Sequence, residues 1–240
     1  MFYNTHAYLA SKLYRSGEAL LLIGSILPDI AITKIITWDK GLHGKENFES
    51  FFKLIEKKYP EYEFLKKGIL AHNIIDDFTH KDYPGGTGYA FQNNKELIKL
   101  LIEYYEITRK RAKVLAHNYI ESAVDIYLLK DHPEIQDKIK SATGKTNKEK
   151  LAEILGDYFK NDANNFSKAL NNFFGLIKKY DFKKEENWVI FWEDFAKLLD
   201  LKDVGKEKRV ILMDKALEVV KNTYKVFLNY SLKEGLKKNL

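Results

Sequence analysis

The 240-residue chain contains no cysteine, which removes disulfide staples, thiolate zinc ribbons and thiol catalysis together. Any metal must then be held by nitrogen and oxygen. That donor set favours catalytic over purely structural zinc, since structural sites usually take thiolates. Proline is scarce, and Pro28, Pro60, Pro84 and Pro133 each fall at a plausible helix boundary. No convincing strand alternation is present, and the apolar run from Ala19 to Ile36 is broken by Gly24 and Pro28-Asp29, so it makes a poor membrane span. Neither charge sign dominates. With 40 basic and 34 acidic residues the net charge is only +6, an ordinary solvated surface rather than a nucleic-acid footprint. No stable nucleic-acid complex is expected.

What is present reads as helix. At 45% hydrophobic residues the chain can bury a core without cross-links. Helical patterns cover Thr5 to Tyr14, Gly17 to Leu27, Ile30 to Thr37, Asn47 to Lys58 and Glu61 to Thr79. After the loop Tyr83-Pro-Gly-Gly-Thr-Gly-Tyr89, an unbroken stretch runs from about Phe91 to Leu129 without Gly or Pro. Further helices fall near Lys148 to Phe159, Asn161 to Lys179, Glu185 to Leu199 and Lys206 to Lys233. The segment Lys140 to Asn147, polar and helix-poor, is a weak linker candidate that would either separate two domains or join helices of one bundle. The second half carries apolar stripes that need a partner, Leu170, Phe173, Phe174 and Ile177 and then Phe191, Phe195, Leu198 and Leu199. One all-α domain over residues 1–240 is therefore expected. The chain enters its helical pattern at once from Met1, without a basic leader and apolar core, so a cytoplasmic protein is expected.

The chemistry concentrates in the first half, where His6, His43, His72, His80 and His117 lie, with only His132 beyond them. In Ala71-His-Asn-Ile-Ile-Asp-Asp-Phe-Thr-His80, the residues His72, Asp76 and His80 recur at steps of four. Each step rotates the helix only about 40°, so all three face one side, but the first and last are about 12 Å apart along the axis. Metal bonds of about 2 Å cannot easily join both histidines to one ion. The spacing predicts at least two centres along one helix, with Asp76 midway. The long stretch supplies a second i, i+4 pair, His117 and Glu121. A neighbouring helix carrying that pair would complete the centre that holds His80, as bundles do when they build polynuclear sites. Asp125 continues the same face, either orienting an imidazole or standing as a surface acid. Asp29, His43 and His6 lack helical partners, and each alone reads as a cap, a turn residue or a hydrogen-bonded histidine as well as a ligand.

The order is His, Leu-Pro-Asp, His-Gly, His-x3-Asp with a following His, and His-x3-Glu. It resembles the zinc-dependent phospholipase C superfamily, which also contains the single-strand-specific nucleases. The motifs cover about residues 1–125. The resemblance implies that Asp29, His43, His72 and Asp76 hold one zinc and that His80, His117 and Glu121 hold a second. It further implies that Asp76 bridges to a third, whose other ligands are similar to His6 and the chain's N-terminus. Secreted relatives use a mature N-terminal tryptophan there. In this chain bulky Phe2 is expected to keep Met1 in place, which would offer the same backbone chelate.

Two or three clustered zinc ions suit phosphoester hydrolysis, because they polarise phosphoryl oxygens and activate water. The resemblance makes Asp29 either the proton acceptor or a ligand only. A phospholipid headgroup, a nucleotide phosphodiester and a small phosphate ester all fit as substrate, and Tyr83, Tyr89 and Phe91 either contact it or cover the bundle's end. The competing readings are a metal-binding but non-catalytic scaffold, an ordinary helical interaction protein whose histidines are incidental, and an HD-type phosphohydrolase. The last needs adjacent His-Asp in a helix, and this chain has the reverse, Asp131-His132.

Overall fold

A computed structural model describes residues 3–238. In chain order the helices are α1 (Tyr3–Leu13), α2 (Ala19–Gly24), α3 (Lys45–Lys58), α4 (Glu63–His80), α5 (Tyr89–Gln92), α6 (Lys95–Tyr105) and α7 (Arg109–Asp131). They continue as α8 (Glu134–Lys145), α9 (Lys148–Phe159), α10 (Ala163–Lys179), α11 (Glu185–Leu198), α12 (Gly205–Val220) and α13 (Tyr224–Lys237). A 3-10 turn, Leu27–Thr33, follows α2, and a shorter one, Pro60–Tyr62, leads into α4. Among the described residues there is no strand, and no helix is long and apolar enough to cross a membrane. The fold is all-α, as the sequence pattern indicates.

Several boundaries differ from the sequence reading, each for a local reason. The stretch from Phe91 to Leu129 is divided. Glu106 takes a left-handed backbone (φ 55°) that closes α6, its N–H bonding the Ile102 carbonyl, and Thr108 opens α7 by accepting the Arg111 N–H at 3.3 Å. A threonine cap thus does what Gly or Pro would have announced. The segment Lys140 to Asn147 is no linker, because α8 runs through most of it, burying Ile139, Ala142 and Thr143 on one side. The expected helix over Ile30 to Thr37 is the tighter turn Leu27–Thr33, ended by Lys34 in the left-handed region. The span Lys206 to Lys233 breaks between α12 and α13.

The described chain forms two compact units. The first comprises residues 3–5, 76–133 and 180–231. There α7 packs on α5, α6 and α12, and α12 also meets α6 and α11. Tyr119 of α7 stacks on Trp192 of α11 with centroids 3.7 Å apart, and Trp188 and Phe191 fill the space beside them. Leu198, expected in the α11 stripe, is exposed instead.

The second unit comprises residues 6–75, 134–179 and 232–238. Here α2 packs on α8, and α10 packs on α9 and on the 3-10 turn. The stripe Leu170, Phe173, Phe174 and Ile177 faces inward as expected. The tightest approach is between α2 and α4, where a Cβ on Gly24 would fall 2.2 Å from the Leu65 carbonyl oxygen and one on Gly68 would fall 2.3 Å from that of Leu21. Only two glycines let these backbones touch. Helix α4 is continuous, residues 63–75 belonging to the second unit and 76–80 to the first.

Candidate metal centres

Backbone contact between α2 and α4 has a direct chemical consequence. It sets the Ser25 carbonyl, one residue beyond α2, 2.8 Å from His72 Nδ1. A carbonyl can only accept, so Nδ1 carries the hydrogen and Nε2 is the nitrogen left to face a cation. That nitrogen lies 3.2 Å from His43 Nε2, which in turn is 3.5 Å from Asp29 Oδ1. Two nitrogens bound to one tetrahedral zinc at 2.0–2.1 Å sit about 3.3 Å apart, so the spacing suits one ion. Asp29 is supplied by the 3-10 turn and is buried. Burial opposes its charge, yet the His43 hydrogen bond and the nearby His72 hold its carboxyl below the usual range.

His43 sits in an irregular loop that its neighbours pin on both sides. Asn73, the residue after His72, donates to the Leu42 carbonyl at 2.9 Å and accepts the Gly44 N–H at 3.2 Å. Asn47 closes the same loop by donating to the carbonyls of Asp39 and Gly41. Neither asparagine stands out in the sequence, nor does Ser25. Trp38, half exposed at 51%, lies 5.0 Å from the His43 ring. His6 is buried and stacks on His72, centroids 4.0 Å apart and planes 19° from parallel. Met1 lies outside the described residues.

The first unit holds a second group. His80 ends α4, and its Nε2 donates to Glu121 Oε1 of α7 at 3.0 Å, while His117 Nε2 lies 3.9 Å from the same oxygen. The i, i+4 spacing of His117 and Glu121 therefore does place both on one face, against His80, as the sequence pattern predicts. Glu121 is 1% exposed. Burial would raise its carboxyl, but surrounding positive charge, the two imidazoles included, pulls it below its ordinary value. For His80 burial disfavours the proton, and the Glu121 and Asp76 carboxylates outweigh it to raise the ring. His117 is pushed down to about 4, mainly by burial. Among the described residues its buried Nδ1 has no hydrogen-bond partner. Asp76, half-buried, stands on the same face of α4 one turn from His72 and one turn from His80.

In each group the ligand-type atoms, those of Asp29, His43 and His72 and those of His80, His117 and Glu121, lie within 4.8 Å of one another. All are nitrogen or oxygen, each group mixes imidazole with carboxylate, and each carboxylate is biased toward its charged form. That chemistry fits a divalent cation such as zinc.

Asp125 takes neither role expected of it. It is fully buried and accepts four hydrogen bonds from the first turn of α1, from Asn4 N (3.1 Å), Asn4 Nδ2 (3.0 Å), Thr5 N (2.8 Å) and Thr5 Oγ1 (2.6 Å). It satisfies helix N–H groups that have no intrahelical partner, immediately before His6. The aromatic loop is also more constrained than its glycines suggest. Tyr89 is buried and stacked on Phe227, so it belongs to the core, and Tyr83, half-buried, packs edge-on to Tyr89 and Tyr230. Phe91 alone stays exposed, 5.4 Å from the His117 ring.

An all-α fold that converges imidazoles and carboxylates without a single thiolate defines a class, the helical metal-dependent proteins with nitrogen and oxygen donors. Within it, the chain belongs to the zinc-dependent phospholipase C family, whose profile matches residues 2–183. Neither the curated proteins nor the solved structures contain a match to the chain.

Proposed function

We propose that the chain is a metal-dependent phosphoester hydrolase, a phospholipase C-like phosphodiesterase that works with two or three zinc ions. The observation that carries this reading is the pair of mixed imidazole–carboxylate groups, one in each unit, each with ligand-type atoms within 4.8 Å. In this reading Asp29, His43, His72 and Asp76 hold one ion and His80, His117 and Glu121 another. Asp76 also serves a third with His6 and the backbone of Met1. Zinc held there would polarise phosphoryl oxygens and bring the pKa of bound water toward neutrality.

The chain's own residues supply the rest. Asp29, kept ionised by His43 and His72, takes the proton of the attacking water. The Ser25 carbonyl engages His72 Nδ1, so that Nε2 would be the nitrogen that holds the ion. Trp38 beside His43 and Phe91 beside His117 are the exposed aromatic rings next to the two groups, and they contact the organic part of the substrate. That substrate is a phosphodiester, either a phospholipid headgroup or a nucleotide.

The test is metal analysis of purified protein together with hydrolysis of bis-p-nitrophenyl phosphate. Two or three zinc ions per chain are expected, with one fewer and no turnover in His72→Ala. A metal content unchanged by that substitution rejects the ligand assignment. Full metal content with no turnover of phospholipid or dinucleotide panels supports the non-catalytic scaffold instead.

A further inference from the structure

Outside the histidine groups, the second unit contains a cavity of about 370 Å³ at the end of α1, lined by Ser11, Lys12, Arg15, Ser16, Leu22 and Lys138. That volume lies at the small end of the range of roughly 300–1,000 Å³ typical of ligand clefts. Three cations meet in it. Elsewhere the surface lysines are commonly compensated, as Lys58 is by Asp157 and Lys66 by Glu56. Among the described residues none of Lys12, Arg15 and Lys138 forms an ion pair with a carboxylate. Glu18, the nearest acid in sequence, uses its backbone N–H on Ser16 Oγ (3.2 Å) and pairs with none of them.

The turn presenting these groups is fixed. The Ser16 N–H bonds the Ser11 carbonyl (3.0 Å) and the Arg15 N–H bonds that of Lys12 (3.4 Å), the paired closure that ends many helices. Its left-handed position is commonly glycine, yet here Arg15 occupies it with φ 49°. Lys12 is steadied over the Tyr8 ring, 5.5 Å from its centroid. Ser16 Oγ accepts the Glu18 N–H, so its own hydroxyl proton remains to be donated. Three like charges held around one concavity raise the local positive potential and await an anion.

We propose that this pocket binds the phosphate group of a phosphomonoester, with Arg15, Lys12 and Lys138 as its charge partners and Ser16 as a hydroxyl donor. Arg15 provides the planar fork suited to two phosphate oxygens. The pocket shares no residue with the histidine groups, so it stands whether or not the hydrolase reading does. The phosphate is carried either by a soluble ester or by an anionic lipid headgroup.

The experiment is calorimetric titration of the intact, metal-loaded protein with glycerol 1-phosphate at low and moderate salt. It is run beside flotation with phosphatidylcholine vesicles with and without phosphatidic acid. Arg15→Gly removes the charge while supplying the residue the backbone favours, so its melting temperature should equal or exceed that of the parent. The expected result is a salt-sensitive binding step weakened about tenfold or more by Arg15→Gly and again by Lys138→Gln, each removing one charge-assisted contact. Variant-sensitive binding to phosphatidic acid vesicles assigns the lipid source, and variant-sensitive binding of the ester alone assigns the soluble one. Affinity for both probes unchanged in the two variants, or no binding of either, overturns the proposal.

Discussion

The two histidine groups contain the same kinds of donor but are held in place differently. In the second unit, Asp29 comes from a 3-10 turn, His43 from a loop and His72 from a helix, and their alignment rests on backbone contacts that carry no chemistry themselves. In the first unit, His80, His117 and Glu121 sit on two regular helices, and helical spacing alone puts the latter two on one face. One group is placed by close backbone approach and clamped loops, the other by periodicity. The first kind should be brittle to substitutions far from any imidazole, and the second should tolerate them.

The largest effect expected from this difference is at Gly68. An alanine there would push Cβ to 2.3 Å from the Leu21 carbonyl and 2.6 Å from the Ser25 nitrogen, both backbone atoms that cannot move aside. Gly68→Ala should destabilise by about 3 kcal/mol or more, as overpacking of a closed contact does. It should also strip metal from the group containing His72 before the group containing His117. Gly175 on α10 is the control, since nothing lies within 4 Å of its Cβ position, and Gly175→Ala should gain about 0.5–1 kcal/mol. Denaturant melts and zinc content of both variants check the pair. Equal losses would dissolve the contrast.

Asp125 gives the next effect, and pH exposes it. Burial pushes its carboxyl up to about 6 despite the four donors around it, above the ordinary value near 4. The folded chain therefore retains a proton that the unfolded chain releases between those values. This contribution to stability is complete below about pH 4 and is lost as pH rises through 6, a change of about 2–3 kcal/mol. Asp125→Asn removes the titration, so the variant should be the weaker at pH 4 and the gap should narrow toward pH 7. A gap that widens with pH would reverse the sign of the assignment.

What was legible in the sequence follows the same division. Steps of four along Ala71 to His80 and the pair His117–Glu121 are periodic, and periodicity survives without coordinates. The apolar stripe of α10 is of the same kind. What the sequence hid are features that depend on where backbone goes. Gly24 and Gly68 read as two ordinary glycines until α2 and α4 meet. Asp125 read as a ligand neighbour or a surface acid until α1 was laid against it. Thr108 is a single cap inside a run with helical character on both sides, so the break before α7 carried no Gly or Pro. Lys140 to Asn147 looked like linker by composition, but Ile139, Ala142 and Thr143 have a buried face to fill. Arg15 holds a left-handed position that glycine would have advertised.

The sharpest form of the comparison lies in a dipeptide that occurs twice. His72-Asn73 and His117-Asn118 read identically, each a histidine of one group followed by an amide. Asn73 bridges the Leu42 carbonyl and the Gly44 N–H on either side of His43. Among the described residues the Asn118 side chain reaches only the Val114 carbonyl of its own helix, at 3.2 Å. Asn73→Ala should therefore cost about 1–2 kcal/mol in lost hydrogen bonds. It should also weaken zinc binding by the Asp29–His43–His72 group about 10- to 100-fold, the usual consequence of freeing a supporting contact. Asn118→Ala should fall within about 0.5 kcal/mol of the parent and leave zinc binding by the His80–His117–Glu121 group intact. Metal titration of the two variants measures both halves. If the two alanines behave alike, the loop clamp is incidental and the imidazoles of the second unit are held by the helices alone.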